Sequence, residues 1–360
     1  MAHSIGAGFN PNLLNGTLTL PSHARYIEAG ASVLLDTNGD CRELAGISRY
    51  SLHLARAPFC EDEATQVHFA RALASRLPAH VSSIGVHLTG ALRRDLGFFG
   101  FGTAFQPTPE NERAAARLLD LLTELTQREV LLENANFYDS GPRAALRVLE
   151  AQERLTRGRN VALILDLAHL VMEAHNVGTD PQLLLGAVPL ERVKIIHLSG
   201  IVQSPDGVLH DGHQLPVHAR VWSLLEQTLT LIEQPITVVI EHTDRRWDDA
   251  QPEFHSDHER LARLVAAPES PAVKAIDTDR VAIGYMANLV LPHRCRPLYD
   301  AIGKEAFKAL VLSWGADFLA RAKDIDASFV MRPEEVPLFP GRVLDPADDF
   351  LQYAARSLPC

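Results

Sequence analysis

Between residues 209 and 222 the sequence reads LHDGHQLPVHARVW, which sets His210, Asp211, His213 and His218 within ten positions of a chain with 16 histidines. Imidazole nitrogens and carboxylate oxygens so close together are either a polar turn or part of a site for a borderline metal ion. A metal site would need further donors from elsewhere. They stand at or near the ends of short apolar runs: His53 in YSLHL (50–54), His87 in VSSIGVHL (81–88), Glu133 in EVLLE (129–133), Asp166 in VALILD (161–166), His197 in VKIIHL (193–198) and Glu241 in TVVIE (237–241), with His169 one helical turn after Asp166.

Each of these has a bland reading. A lone histidine on a strand is a hydrogen-bonded core residue, Asp166 is a helix N-cap, Asp211 and His213 make a polar turn, and Glu241 pairs with Arg245 or Arg246. Jointly those readings do poorly. Five imidazoles and four carboxyls at successive strand ends would each need a separate reason for desolvation. Divalent ions supply one common reason. The donors exceed what one ion takes, so two or three ions bridged by carboxylates suit the number. With no thiolate in the set, Fe, Mn or Zn fits better than Cu(I) or an iron–sulfur cluster.

The elements that must position these residues alternate along the chain. Two more apolar runs, HSIGAGF (3–9) and ASVLLD (31–36), complete eight predicted strands. Amphipathic stretches at 63–77, 111–127, 141–155 and 217–233 repeat their apolar residues every three or four positions, as helices do. Eight nearly continuous apolar strands, each followed by a helix or loop, predict a TIM-like (β/α)8 barrel, an α/β fold with parallel strands buried on both faces. In that fold the strand ends form one rim, where barrel enzymes carry their chemistry. An open doubly wound sheet would show a Gly-rich first turn, and GAGFNP is followed by no GxGxxG.

Past residue 268 the character changes. AAPESPAVKAIDTDR reads as a linker, and the remainder predicts a mostly helical appendage. The expected division is a catalytic barrel over 1–268 and an extension over 269–360 that binds a peptide or partner, mediates dimerisation or braces the barrel. Hydrophobic content of 46% and charged content of 22% are ordinary for a soluble domain. No apolar run could span a bilayer, and MAHSIGAGFNPN lacks the features of a secretory signal, so the expectation is a cytoplasmic protein away from membranes. The four cysteines are scattered with no CxxC pair, and a net charge of −11 argues against a nucleic-acid surface.

The order His…His…Glu…Asp-x-x-His…His…Asp-x-His…Glu resembles the metal frame of the xylose-isomerase-like barrels, endonuclease IV among them. The flanks narrow it. LLENANFY (131–138), LILDLAHLVMEAHNVG (163–178), KIIHLSG (194–200) and DGHQLPVHARVWSLL (211–225) resemble segments of the multinuclear non-heme iron-dependent oxidases. The resemblance covers roughly residues 5–260. It implies oxidation by O2 of a residue, typically cysteine, in a ribosomally made precursor peptide, at a centre of two or three Fe2+/Fe3+ ions, with a small partner protein for the leader. It carries His53, His87, Glu133, Asp166, His197, Asp211, His213 and Glu241 onto ligand positions.

Two departures stand out. His169 replaces the asparagine usual in that family and matches the endonuclease-type D-x-x-H instead. After Glu241 the usual W-D becomes His242-Thr243-Asp244. The segment HLARAPF (53–59) also replaces a glycine-rich stretch. Asn134, Asn136 and His175 are candidates for supporting or substrate contacts, while His210, His218, His242, His255 and His258 read as surface or supporting residues. A Zn2+- or Mn2+-dependent phosphoesterase of the endonuclease IV type, a sugar isomerase or epimerase, and a non-catalytic peptide-binding module remain the alternatives.

Overall fold

The computed structural model describes residues 3–266 apart from 23, 36–43, 45, 91–104, 136–141, 206, 244–246 and 248, together with residues 303 and 306. Eight parallel strands close into a barrel: β1 (Ser4–Gly8), β2 (Tyr26–Gly30), β3 (Arg49–Leu54), β4 (Val81–His87), β5 (Glu129–Glu133), β6 (Val161–Asp166), β7 (Val193–Leu198) and β10 (Thr237–Ile240). The strands follow one another in chain order around the wall, and β10 closes onto β1 through Ser4↔Thr237 to Ala7↔Ile240. Helices α2 (Glu63–Arg76), α3 (Pro109–Thr126), α4 (Pro142–Thr156), α5 (Leu167–Val177), α7 (Ala219–Leu231) and α8 (Gln251–Ala266) come between or after the strands. The fold is the expected TIM barrel. Two shorter helices are α1 (Ala31–Leu34) and α6 (Pro181–Leu185).

The chain divides into two compact units, residues 1–177 with 187–273, and residues 178–186 with 274–360. The barrel belongs to the first. The helical appendage expected over 269–360 lies outside the described residues apart from 303 and 306. No helix among the described residues is long and apolar enough to cross a membrane.

Period-two alternation along the strands explains how a polar site sits in an apolar wall. Ile27, Leu52, Ile84, Val130, Leu132, Leu163, Ile196 and Val238 occupy one set of alternate positions and are fully or almost fully buried. On the other set, Tyr26, Leu131, Ile164, Ile195 and Val239 pack together as one core cluster. Two residues further along the same strands stand Glu28, Glu133, Asp166, His197 and Glu241. An apolar floor thus lies one pleat below a ring of acids and imidazoles.

The structure corrects two local expectations. The second strand is Tyr26–Gly30, not residues 31–36; Ala31–Leu34 is helical and Asp36 lies outside the described residues. Both YIEAG and ASVLL are short apolar runs, which periodicity alone does not separate. Register selects the first, because Tyr26 pairs with Gly6 on one side and Arg49 on the other. The stretch after β7, expected as a loop, forms an antiparallel hairpin of β8 (Gly200–Gln203) and β9 (Leu209–Gly212). Asn176 at the end of α5 clamps it, donating to Leu209 O at 2.9 Å and accepting from Leu209 N at 2.8 Å.

The hairpin begins where backbones nearly touch. A Cβ on Gly200 would lie 2.5 Å from Leu215 O and 2.7 Å from Gly212 O. Carbonyls cannot rotate aside as a side chain can. Gly200→Ala should therefore destabilise the protein by on the order of 1–3 kcal/mol, read as a lowered thermal midpoint.

Candidate metal centre

Most of the ring comes from barrel strands, one residue at or near the end of each of β3 to β7 and β10, while His169 comes from α5 and Asp211 and His213 from the hairpin. Asp166 does two jobs. Its Oδ1 accepts from His169 N at 2.7 Å and so caps the first turn of α5, while its buried Oδ2 lies 3.6 Å from His169 Nε2. The cap and the site are therefore one residue, not rival readings. Asn134 holds Asp166 from behind, donating to its carbonyl at 2.9 Å and accepting its backbone N–H at 2.8 Å. His169 Nδ1 donates to Asn134 O at 2.8 Å, which turns Nε2 toward Asp166 and Asp211.

Glu133 lies at the centre. Its Oε2 is 3.3 Å from both His53 Nε2 and His87 Nε2, which are themselves 2.9 Å apart. Its Oε1 is 3.4 Å from His197 Nδ1 and 3.7 Å from His169 Nδ1. On the far side His197 Nδ1 is 3.5 Å from Glu241 Oε1 and 4.0 Å from Asp166 Oδ2. The hairpin then adds its pair: His213 Nε2 is 2.7 Å from Asp211 Oδ2 and 3.5 Å from Glu241 Oε2. Asp211 is braced by Ser199 Oγ at 2.6 Å, and His213 by Thr243 Oγ1 at 3.0 Å and by Trp247 Nε1, which donates to its carbonyl at 2.7 Å.

Thus His53, His87, Glu133, Asp166, His169, His197, Asp211, His213 and Glu241 come together. His175 does not join them: its Nε2 donates to Gly207 O at 3.1 Å, in the turn of the hairpin. Asn136, Arg245 and Arg246 lie outside the described residues. His218 caps α7, accepting from Arg220 N at 3.2 Å. His242 is fully buried, stacked on Trp247 with ring centroids 3.8 Å apart and 3.2 Å from Asp257 Oδ2. Glu28 is the residue that sequence reasoning missed. Buried on β2, its Oε1 is 2.9 Å from His197 Nε2 and 3.3 Å from His53 Nδ1. Its signal was an acid inside the apolar run YIEAG, hidden once the second strand was placed five residues later.

Burial alone would raise every carboxyl and lower every imidazole. For Glu133 the imidazoles of His87, His197 and His53 outweigh burial and hold it well below the usual carboxylate range. Asp211 is held low in the same way, against burial, by His213 and His169. Burial wins at Glu241, pushed up to about 7, and at Asp166, also raised. Burial pushes His53 down to about 4. It also opposes charge on His169, His197 and His213, yet neighbouring carboxylates raise all three, His213 to about 10.

These residues fit a metal centre on their own evidence. Both oxygens of Glu133, Asp166 Oδ2, His197 Nδ1 and His213 Nε2 are buried with no hydrogen bond. Orphaned polar atoms of this kind are costly unless something else binds them. Four triads place their donor atoms within 4.8 Å of one another: His53–His87–Glu133, Glu133–Asp166–His169, Asp166–His197–Glu241 and Glu28–His53–Glu241. Glu133 and Asp166 each serve two triads, as bridging carboxylates would. The donors suit Fe, Zn or Mn, and their identities do not choose among the three.

Metals bind these groups only without their protons. Neighbouring carboxylates favour the protonated forms of His213, raised to about 10, and of His169 and His197, both raised above the ordinary imidazole value. Loading a divalent ion near neutrality should therefore release protons into weakly buffered solution, and apparent affinity should weaken as pH falls through neutrality. Proton-neutral, pH-independent uptake would contradict the ligand set.

A family model described as "RiPP precursor modification enzyme MbnB/TglH/ChrH" matches residues 103–267, RiPP denoting a ribosomally made, post-translationally modified peptide. A UPF0276 protein of Acaryochloris marina is 31% identical over 211 residues, covering 57% of this chain and 70% of that protein. A UPF0276 protein of Caulobacter vibrioides is 32% identical over 141 residues, covering 38% of this chain and 50% of its own length. Among solved structures, D-allulose 3-epimerase from Methylomonas sp. aligns with a TM-score of 0.46 at 17% identity, covering 73% of this chain and 97% of that one. A xylose isomerase-like TIM barrel protein from Mycobacterium smegmatis, in complex with magnesium, aligns with a TM-score of 0.44 at 13% identity, covering 73% and 96%. The match through the second half of the barrel and the Acaryochloris relative place the chain: it belongs to the MbnB/TglH/ChrH family of RiPP precursor modification enzymes.

Proposed function

We propose that this chain is an O2-dependent oxidase with two or three iron ions that modifies a cysteine of a ribosomally made precursor peptide. The observation that carries the reading is Glu133, a desolvated carboxylate shared between two triads of N and O donors, in a chain whose family modifies such precursors. When bound, iron supplies electron transfer between substrate and O2, which no side chain in the ring can perform alone.

The chain's own residues do the rest. His53, His87 and Glu133 would hold one ion, and Glu133, Asp166 and His169 its neighbour. Asp166, His197 and Glu241, with Asp211 and His213 beside them, make the third position. The apolar floor excludes water from below. The β8–β9 hairpin brings Asp211 and His213 over the rim beside Glu241. The precursor peptide reaches the ring from the rim, with a small partner protein presenting its leader.

A second reading has one specific observation in its favour. His169 stands where endonuclease-type barrels carry a ligand, and its Nε2 faces Asp166 and Asp211. That reading is a zinc- or manganese-dependent phosphoesterase.

Co-expression with cysteine-bearing candidate precursor peptides, followed by mass spectrometry, tests the proposal. Modification should require air and iron. An unmodified peptide together with hydrolysis of a phosphodiester by the zinc-loaded protein would favour the second reading. His213→Ala should lower metal content and abolish activity. His218→Ala, which removes only a helix cap, should keep its metal and lose about 1 kcal/mol of stability. Equal metal loss in both would mean that this loop is wrongly assigned.

A further inference from the structure

Two imidazoles in the ring have their outward nitrogen held by a neutral acceptor, His169 Nδ1 by Asn134 O and His213 Nδ1 by Thr243 Oγ1. His53 and His197 face a charged one. Glu28 Oε1 lies 3.3 Å from His53 Nδ1 and 2.9 Å from His197 Nε2. The opposite nitrogens point into the ring. His53 Nε2 is 3.3 Å from Glu133 Oε2, and His197 Nδ1 is 3.4 Å from Glu133 Oε1.

Resting on the metal-centre reading above, we propose that Glu28 is a positioning residue: one carboxylate that orients two ligand imidazoles and fixes which nitrogen each presents to metal. His53 would then bind through Nε2 in the position it shares with His87 and Glu133, and His197 through Nδ1 in the position it shares with Asp166 and Glu241. A carboxylate behind a ligand histidine fixes its tautomer and strengthens it as a donor. Here a single oxygen, 3.3 Å from His53 Nδ1 and 2.9 Å from His197 Nε2, would do so for two rings and couple the two metal positions through one side chain.

The surroundings favour this role over a purely structural one. The Asp166 and Asp211 carboxylates accept backbone N–H groups. The Glu28 carboxylate lies against the two rings, with a Glu241 carboxylate oxygen within 4.8 Å of the donor atoms of Glu28 and His53; its Oε2, His53 Nδ1 and His197 Nε2 are buried without a hydrogen bond. The wall also leaves it space. On β4, opposite His53 in register, stands Gly85, where a Cβ would come within 2.7 Å of Ile164 Cδ1 and 3.0 Å of His53 Nδ1. Any side chain there would push the His53 ring off the line from Glu28 to Glu133.

Cobalt(II) titration tests this, with affinity read by chelator competition and geometry by the visible absorption spectrum, independently of any oxidase activity. Glu28→Gln, near in shape to the native side chain, and Glu28→Ala should keep the wild-type number of cobalt ions. Both should bind them about 10–100-fold more weakly and with an altered spectrum. Unchanged affinity and spectrum in both variants would overturn the proposal. Loss of one whole equivalent with the others unchanged would also overturn it, because Glu28 would then be a ligand. Should Glu28→Ala fail to fold, Glu28→Gln decides by the same readouts. A wild-type protein that takes up no cobalt would instead overturn the metal-centre reading on which this one rests.

Discussion

Glu133 ends strand β5 with its carboxylate buried, neither oxygen hydrogen bonded, and four imidazoles within 3.7 Å. Removing one partner from a buried charged set costs about 3–5 kcal/mol, so the neighbours of this group are tightly constrained. The rest of the site follows from supplying them. His53 and His87 address one oxygen and His197 the other, while His169 Nδ1, 3.7 Å from that second oxygen, is held by Asn134 O. Cations between these groups would satisfy the carboxylate and let the imidazoles serve as neutral donors.

That constraint reaches outward through a layer of supporting contacts. Asn134 pins the backbone of Asp166 and orients His169, Ser199 braces Asp211, and Thr243 and Trp247 hold His213. The Asn134 contacts join the ends of β5 and β6, and the others tie the hairpin residues to the segments after β7 and β10, so the ring's geometry depends on the closed wall below it. The hairpin is the part not built from barrel strands. Its clamp to α5 through Asn176 and the backbone approach at Gly200 allow a surface excursion to carry two ring residues.

Much of this was legible in the sequence. Strands β5, β6 and β7 lie where their apolar runs predict, and each ends in or beside a ring residue. Continuous apolar strands buried on both faces leave few other readings of such segments. Glu28 was not legible, because adjacent apolar runs compete for one strand and only pairing with Gly6 and Arg49 decides between them. The hairpin was obscured by its polar residues, which suit a loop equally well. His175, a candidate for supporting or substrate contacts, is carried by its helix to the hairpin turn, where it meets Gly207 O. Spacing on a strand fixes the face of a side chain within one pleat. Spacing along a helix that leaves the rim fixes less about its reach.

We propose that the ring of N and O donors around Glu133 holds a multinuclear iron centre. Metal analysis of anaerobically purified protein, joined to Mössbauer and EPR spectroscopy, tests it most directly. Two or three irons per chain with a mixed-valent signal are expected. Stoichiometric zinc with no iron would contradict it.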